Sequence, residues 1–379
     1  MSYLEKLLNG VEVEWKPLAH KEYGVAELSR GRVMSKEYLA DNAGEYPVYS
    51  SQTANNGEIG KIKTFDHDGE AVTWTTDGAN AGTVFHRTGK FSITNVCGLI
   101  KVKNIEELNY KFLFYWLSIE AKKHVYSGMG NPKLMSNQMA KIPIPIPPLS
   151  VQKEIVRILD SFTELTAELT AELTAELTAR KKQYNYYREK LLSFEDGEVE
   201  WKTLGEVALI GTGKHDTQDA VDNGDYIFYA RGISPLKLDT YDFEETAIIT
   251  AGDGVGVGKV FHWAVGKYAL HQRAYRIVPN EKEINPRYVY HYIVTNFYSY
   301  IEKTSVSSSV TSMRKPMFLK FPIPIPSLEE QERIVSILDK FDTLTTSISE
   351  GLPKEIELRK KQYEYYRDLL LTFPKNKIG

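Results

Sequence analysis

The chain has a single cysteine, Cys97, in 379 residues. A lone thiol excludes an internal disulfide and any multi-cysteine zinc site, and it fits a reducing cytosol, with Cys97 expected as a small core residue. Long apolar runs are missing too. None approaches the roughly 18 residues that span a bilayer, and the start MSYLEKLLNG lacks the basic-then-apolar order of a secretory leader, so a cytoplasmic protein outside any membrane is expected. There is no excess of positive charge. With 47 Lys and Arg against 50 Asp and Glu, the formal net charge is -3, which argues against nucleic-acid binding by a basic coat acting alone. Hydrolase and metalloenzyme signatures are absent as well: the eight histidines are dispersed, with no HExxH, no Cys/His spacing and no GxSxG.

What the chain does have is repetition. KIPIPIPPLSVQKEIVRILDSF (141–162) returns as KFPIPIPSLEEQERIVSILDKF (320–341), identical at 14 of 22 positions, and RKKQYNYYREKLL (180–192) returns as RKKQYEYYRDLLL (359–371), identical at 10 of 13. Upstream, VEWKPL pairs with VEWKTL, GEYPVYS (44–50) with GDYIFYA (224–230), GTVFH (82–86) with GKVFH (258–262), and GKFSI with GKYAL. YLEKLL (3–8) matches YREKLL (187–192), as though a two-unit ring had been cut inside a helix, which predicts neighbouring termini and a pseudo-two-fold relation.

Each half begins with short β-prone runs punctuated by Gly, Asn and Asp, followed by a short helix at 109–121 or 285–297. The PIPIP runs cannot donate a ladder hydrogen bond at every position and are expected as extended connectors. Long helices follow, with Ile155, Ile158, Leu159, Phe162 and Leu165, and their counterparts in the second copy, at 3/4 spacing. Within the first lies LTAELTAELTAELTA (165–179). Leu165, Leu169, Leu173 and Leu177 step by four, so the leucine stripe drifts ~40° per word, unlike the ~3.5-residue period of a left-handed coil seam. The run reads as a spacer whose length matters. Gly351 and Pro353 should break the second long helix.

The expected architecture is α+β: two pseudo-symmetric mostly-β/α domains separated by two long antiparallel, coiled-coil-like helices. Residues 1–10 form a helical remnant completing the repeat, 11–149 and 196–328 the variable domains, 150–195 the central helix with the TAEL words, and 329–379 the closing helical region, broken near 351–353.

Two motifs suggest an enzyme, and each has a better structural explanation. Gly252, Gly254, Gly256 and Gly258 follow an apolar strand, but a phosphate-cradling loop must open into a helix, and KVFHW is strand-like. NPRY (285–288) resembles the NPPY tetrad of amino-methyltransferases, yet Asn at a helix cap with Pro at the first turn accounts for it. The basic RKKQY stretches read as solvated helix faces.

The copies differ in their polar loops, where Asn and Gln suit adenine and Arg suits guanine in the major groove. In the first copy the candidates are Ser51, Gln52, Asn55 and Asn56, then Thr76, Asp77 and Asn80, then Asn95, Asn131 and Lys133. In the second they are Tyr229 and Arg231, then Gln272 and Arg273, then Ser308, Thr311, Arg314 and Lys315.

Two variable domains, two near-identical helical regions, the cut-ring start YLEKLLNGVEVEW and the TAEL words together resemble the specificity (S) subunit of type I restriction–modification enzymes, in particular its type IC group. The resemblance covers essentially the whole chain. It implies that each variable region is a target-recognition domain reading one half of a bipartite double-stranded DNA site. It also implies that the long helices hold these domains apart and bind two modification (M) subunits. The M subunits would carry S-adenosylmethionine and methylate adenine N6, restriction (R) subunits can join, and the S chain itself would hold no cofactor or metal and perform no chemistry. The competing readings are a stand-alone nucleotide- or DNA-modifying enzyme using the glycine turn 252–258, and a pure assembly scaffold.

Overall fold

The computed structural model describes residues 3–127, 130–195, 197–254, 256–304, 312–347 and 349–374. It divides into two compact units, Met1–Ala171 with Glu357–Gly379, and Glu172–Ile356. The division falls inside long helices, because those helices carry residues of both units.

Unit 1 opens with α1 (Tyr3–Leu8) and β1 (Glu14–Pro17), then β2 (Ala26–Arg30), α2 (Lys36–Asp41), β3 (Ala43–Tyr49), β4 (Glu58–Ile62), β5 (Ala71–Thr75), β6 (Val84–Arg87), β7 (Ser92–Ile93) and β8 (Cys97–Val102). The helices α3 (Tyr110–Glu120) and α4 (Ser136–Met139) lead to β9 (Pro143–Ile146) and α5 (Leu149–Leu191). Unit 2 follows the same plan: β10 (Glu200–Thr203), α6 (Leu204–Val207), β11 (Ala208–Thr212), β12 (Tyr226–Tyr229), β13 (Leu236–Leu238), β14 (Phe243–Ala251), β15 (Phe261–Leu270), β16 (Ala274–Pro279), α7 (Pro286–Thr304), α8 (Lys315–Leu319), β17 (Pro322–Ile325), α9 (Leu328–Thr346) and α10 (Leu352–Leu370).

The two units arrange equivalent strands in the same order, with one difference. Unit 1 has a four-stranded sheet β2-β8-β5-β6 and a three-stranded sheet β4-β3-β7, whereas unit 2 has one six-stranded sheet β11-β16-β14-β15-β12-β13. The unbroken β15 does the work that β6 and β7 share, so it joins what unit 1 splits. Both variable regions are mixed α/β, as expected, and α7 runs past the expected 297 to Thr304.

The PIPIP runs are strands, which corrects the expectation of connectors. Trp15 pairs with Pro145 and Lys16 with Ile144, and in unit 2 Trp201 pairs with Pro324 and Lys202 with Ile323. Antiparallel pairs alternate between hydrogen-bonded and non-bonded positions, so a proline at every second residue keeps its missing N–H off the partner edge.

The short helices are set by the same devices in both units. Asn109 Oδ1 accepts from Phe112 N at 3.0 Å and Asn285 Oδ1 from Arg287 N at 2.9 Å, so NPRY is a helix cap. Behind each cap lies a fully buried glutamine, Gln152 or Gln331. Gln152 accepts from Asn109 N and donates to the carbonyls of Glu107 and Pro147, and Gln331 accepts from Asn285 N and donates to Pro326 O, at 2.8 or 2.9 Å throughout.

A carboxylate on each long helix then latches the short one. Asp160 accepts from Lys111 Nζ and Tyr115 Oη, both at 2.7 Å, while Asp339 Oδ1 accepts from Arg287 Nε and lies beside His291 Nε2, again both at 2.7 Å. Burial opposes the charge on Asp339, but His291 and Arg287 outweigh it and lower its pKa. A depressed carboxylate stabilises the fold fully above its unfolded value of about 3.9 and loses that contribution as pH falls through the folded value. Asp339→Asn is therefore expected to cost about 1–2 kcal/mol at neutral pH, discounted for partial exposure. It should also flatten the acid limb of a melting-temperature profile, and equal acid slopes for variant and wild type would refute the latch.

In α5 the buried side chains are Val151, Gln152, Ile155 and Leu159, all ahead of the TAEL words. Leu165 is exposed and Leu169, Leu173 and Leu177 are half-buried, as a drifting stripe requires. Within unit 1, α5 runs antiparallel to the end of α10: Phe162 packs on Tyr366 with ring centroids 5.8 Å apart, and Leu169 shares a small cavity with Arg359 and Gln362. Within unit 2, Tyr184 and Tyr187 stack on Phe341 at 5.9 and 5.7 Å. α9 stops at Thr346 and α10 starts at Leu352, with Gly351 at φ +83° and Pro353 in the new first turn. Leu4 and Leu8 of α1 share one core with Leu370, Leu371 and Phe373 within unit 1.

Candidate nucleic-acid interface

One close approach in each unit creates the loop face. Gly31 and Gly213 are equivalent positions, and a Cβ there would overlap the carbonyl oxygens of Ile93 and Leu270. Glycine alone permits this crossing, which carries the isolated bridges Arg32–Thr94 and His215–His271.

In unit 1 the crossing gathers loops far apart in sequence. Thr94 N donates to Tyr49 O at 2.9 Å, Asn95 N to Arg32 O at 3.0 Å, Leu134 N to Thr76 O at 2.9 Å and Gly78 N to Pro132 O at 3.0 Å. Arg30 holds the centre, its Nε donating to Asn95 O at 3.0 Å and its Nη2 to Thr76 Oγ1 at 3.2 Å, with Asp77 at 3.9 Å. Asn80, Asn95, Asn131 and Lys133 are exposed around it, Ser51 and Asp77 are half-buried, and Thr76 is buried beneath. Gln52 donates to Glu58 O. Asn55 and Asn56 stand exposed in left-handed backbone at φ 48° and 54°, a conformation asparagine tolerates better than most residues. Cys97 lies in the core below, and burial pushes its thiol up to about 12.

Unit 2 assembles its face from the matching loops. Met313 N donates to Gly252 O at 2.7 Å, Gln272 N to His215 O at 2.8 Å and His271 N to Tyr229 O at 3.0 Å. Arg231 Nη1 donates to Asp253 Oδ1 at 2.8 Å, and Arg273 Nη1 to Asp253 Oδ2 at 3.0 Å. Burial raises the Asp253 pKa, but the two arginines prevail and lower it. Gln272 Nε2 donates to Asp216 Oδ2 at 3.0 Å. Arg314 and Lys315 are exposed at the start of α8, and Tyr229 is buried against His262 and Tyr268. Ser308 and Thr311 lie outside the described residues.

The carboxylates Asp253 and Asp216 and the arginines Arg30 and Arg32 are absent from the sequence-based candidates. Alignment of TTDG (75–78) with AGDG (251–254) contained a signal for Asp253, since both copies keep the aspartate. The glycine turn 252–258 leads into β15 and not into a helix. Among the described residues no group of His, Cys, Asp and Glu is arranged to hold a metal ion, and no helix is long and apolar enough to cross a membrane.

The two units keep the same caps, buried glutamines and latching carboxylates but differ in their exposed loops. The family model for the type I restriction modification DNA specificity domain matches residues 12–179 and 197–358. The chain is 36% identical to the type I restriction enzyme EcoR124I/EcoR124II specificity subunit of Escherichia coli, over 99% of this chain and 98% of that one. In fold it is similar to the crystal structure of the type I restriction-modification system S subunit from M. genitalium, with TM-score 0.53, 18% identity and full coverage of both chains. A chain from work on complex assembly and conformational transition of the type I R-M system gives TM-score 0.64 at 15% identity, covering 95% of this chain and 98% of that one. This chain belongs to the family of type I restriction–modification specificity subunits.

Proposed function

We propose that each unit reads one half of a bipartite double-stranded DNA site, through the loop face that begins at Gly31 or Gly213. The long helices set the distance between the two readings and bind two M subunits, with the TAEL words of the type IC group as the adjustable length. S-adenosylmethionine and the adenine-N6 chemistry belong to the M subunits, R subunits join for cleavage, and this chain is non-catalytic. A net charge of -3 suits such a division, because the M subunits supply much of the phosphate clamp.

The observation that carries this reading is the pattern of difference between the units. Caps, buried glutamines and latching carboxylates recur, while the loop positions exchange Ser51 for Arg231, Asn95 for Gln272, Val96 for Arg273 and Lys133 for Ser312. A symmetric scaffold has no need to diversify those positions, whereas two readers of different sequences do. The test is to replace residues 205–319 with their counterpart from the E. coli relative, express the chain with its M subunit and map methylated adenines. One half-site should change and the other persist; two unchanged half-sites would refute the assignment.

A further inference from the structure

Asp253 holds two arginines at once, and the atoms it leaves free are informative. Both use Nη1 on the carboxylate, and among the described residues the Nε and Nη2 groups of Arg231 and Arg273 make no other hydrogen bond. Each arginine therefore keeps its parallel Nε/Nη2 donor edge. The side chains of Arg231 and Arg273 are 40% and 64% exposed, against 21% for Asp253, so the carboxylate sits beneath and the guanidinium groups lie above it. The base of the turn is fixed as well. Arg273 N donates to His271 Nδ1 at 2.9 Å, and His271 is buried, with burial and then Arg231 lowering its pKa so that it stays neutral beside the arginines.

The equivalent place in unit 1 is wired differently. Asp77 accepts from the Thr76 hydroxyl, and Arg30 has both Nε and Nη2 engaged, on Asn95 O and Thr76 Oγ1. The same aspartate position thus leaves a free donor edge in unit 2 and a closed one in unit 1.

A parallel pair of N–H donors on a rigid plane matches O6 and N7 of guanine in the major groove. Ordering the side chain beforehand removes part of the entropy cost of that contact. Resting on the reading of unit 2 as a DNA-reading unit, we infer that Asp253 is a positioning residue that presents Arg273 to a guanine, so that the half-site of unit 2 contains a G·C pair read by this arginine.

Methylated-adenine mapping with the full chain and its M subunit tests this. Arg273→Gln should relax one position of one half-site, a G·C pair in the wild type, by roughly 5- to 150-fold in discrimination. The other half-site and the gap between them should not change. Asp253→Asn should blur that same position to a smaller degree, and Arg273→Lys should fall between wild type and Arg273→Gln. If Asp253→Asn fails to fold, Arg273→Gln decides alone, since its side chain is largely exposed.

An even fall in methylation with both motifs intact would mean a phosphate contact and overturn the proposal, as would relaxation at an A·T position. The segment exchange over 205–319 separates the two levels. If it still swaps a half-site while Arg273→Gln changes no base preference, the guanine contact falls and the reading unit stands. If the exchange changes neither half-site, both fall.

Discussion

Deletion of Thr166–Leu169 is expected to shorten the unread gap between the half-sites by ~1–2 base pairs and to leave both half-site sequences as they are. The four residues are one TAEL word, worth ~6 Å of rise and ~40° of turn along a helix, against ~3.4 Å per base pair of duplex. No core is emptied by the loss, because the buried residues of α5 are Val151, Gln152, Ile155 and Leu159. The removed segment is replaced in register by an identical word, so the exposed Leu165 and the half-buried Leu173 keep their chemistry. Inclination of the helix to the duplex would reduce the change toward a single base pair. Adenine-methylation mapping of the deletion and of a matching one-word insertion should give gaps displaced in opposite directions. Altered half-sites with an unchanged gap would show that the words do not set spacing.

The second large effect concerns stability. Gln331→Ala should destabilise the protein by about 2–4 kcal/mol, because it strands two buried backbone groups at once. Gln331 is fully buried, and it is the partner of Asn285 N at the cap of α7 and of Pro326 O at the end of β17. The substitution also opens a cavity that neighbouring side chains fill only in part. Gln152→Ala should cost at least as much in unit 1, where the side chain makes a third bond, to Glu107 O. Denaturant melts of both variants check this, and a loss under about 0.5 kcal/mol, the size of an ordinary surface change, would refute it. Gln331→Glu adds a control, since an ionised carboxylate cannot donate to Pro326 O and is costly to bury, and it should fare no better than alanine.

Much of the frame is legible in the sequence because it is written in local chemistry. Asn285 announces its cap, the 3/4 spacing of Ile155, Ile158, Leu159 and Phe162 announces a helix with one packed face, and Gly351 with Pro353 announces a break. The duplication makes each inference twice. The PIPIP runs are harder, since their pairing partner Glu14–Pro17 lies more than a hundred residues away, and proline alone argues only against a central strand. α7 outruns its expected end, and the signal was present: Ile301 continues the four-residue spacing of Ile293 and Phe297, and all three are fully buried in one core.

The loop face was readable as composition but not as wiring. Asn80, Asn95 and Lys133 stand out as polar residues, but the bonds from Arg30 to Asn95 and from Arg231 and Arg273 to Asp253 join residues separated by 20 to 65 positions. Only the fold brings those groups together. Burial had the converse effect on Tyr229 and Thr76, which a polar tally places on the surface and the packing places underneath.

The most direct test of the whole account is a map of methylated adenines in cells expressing the unaltered chain with its M subunit. Two short, unlike half-sites separated by one fixed unread gap are the predicted result. A single continuous motif, or methylation without sequence preference, would contradict it.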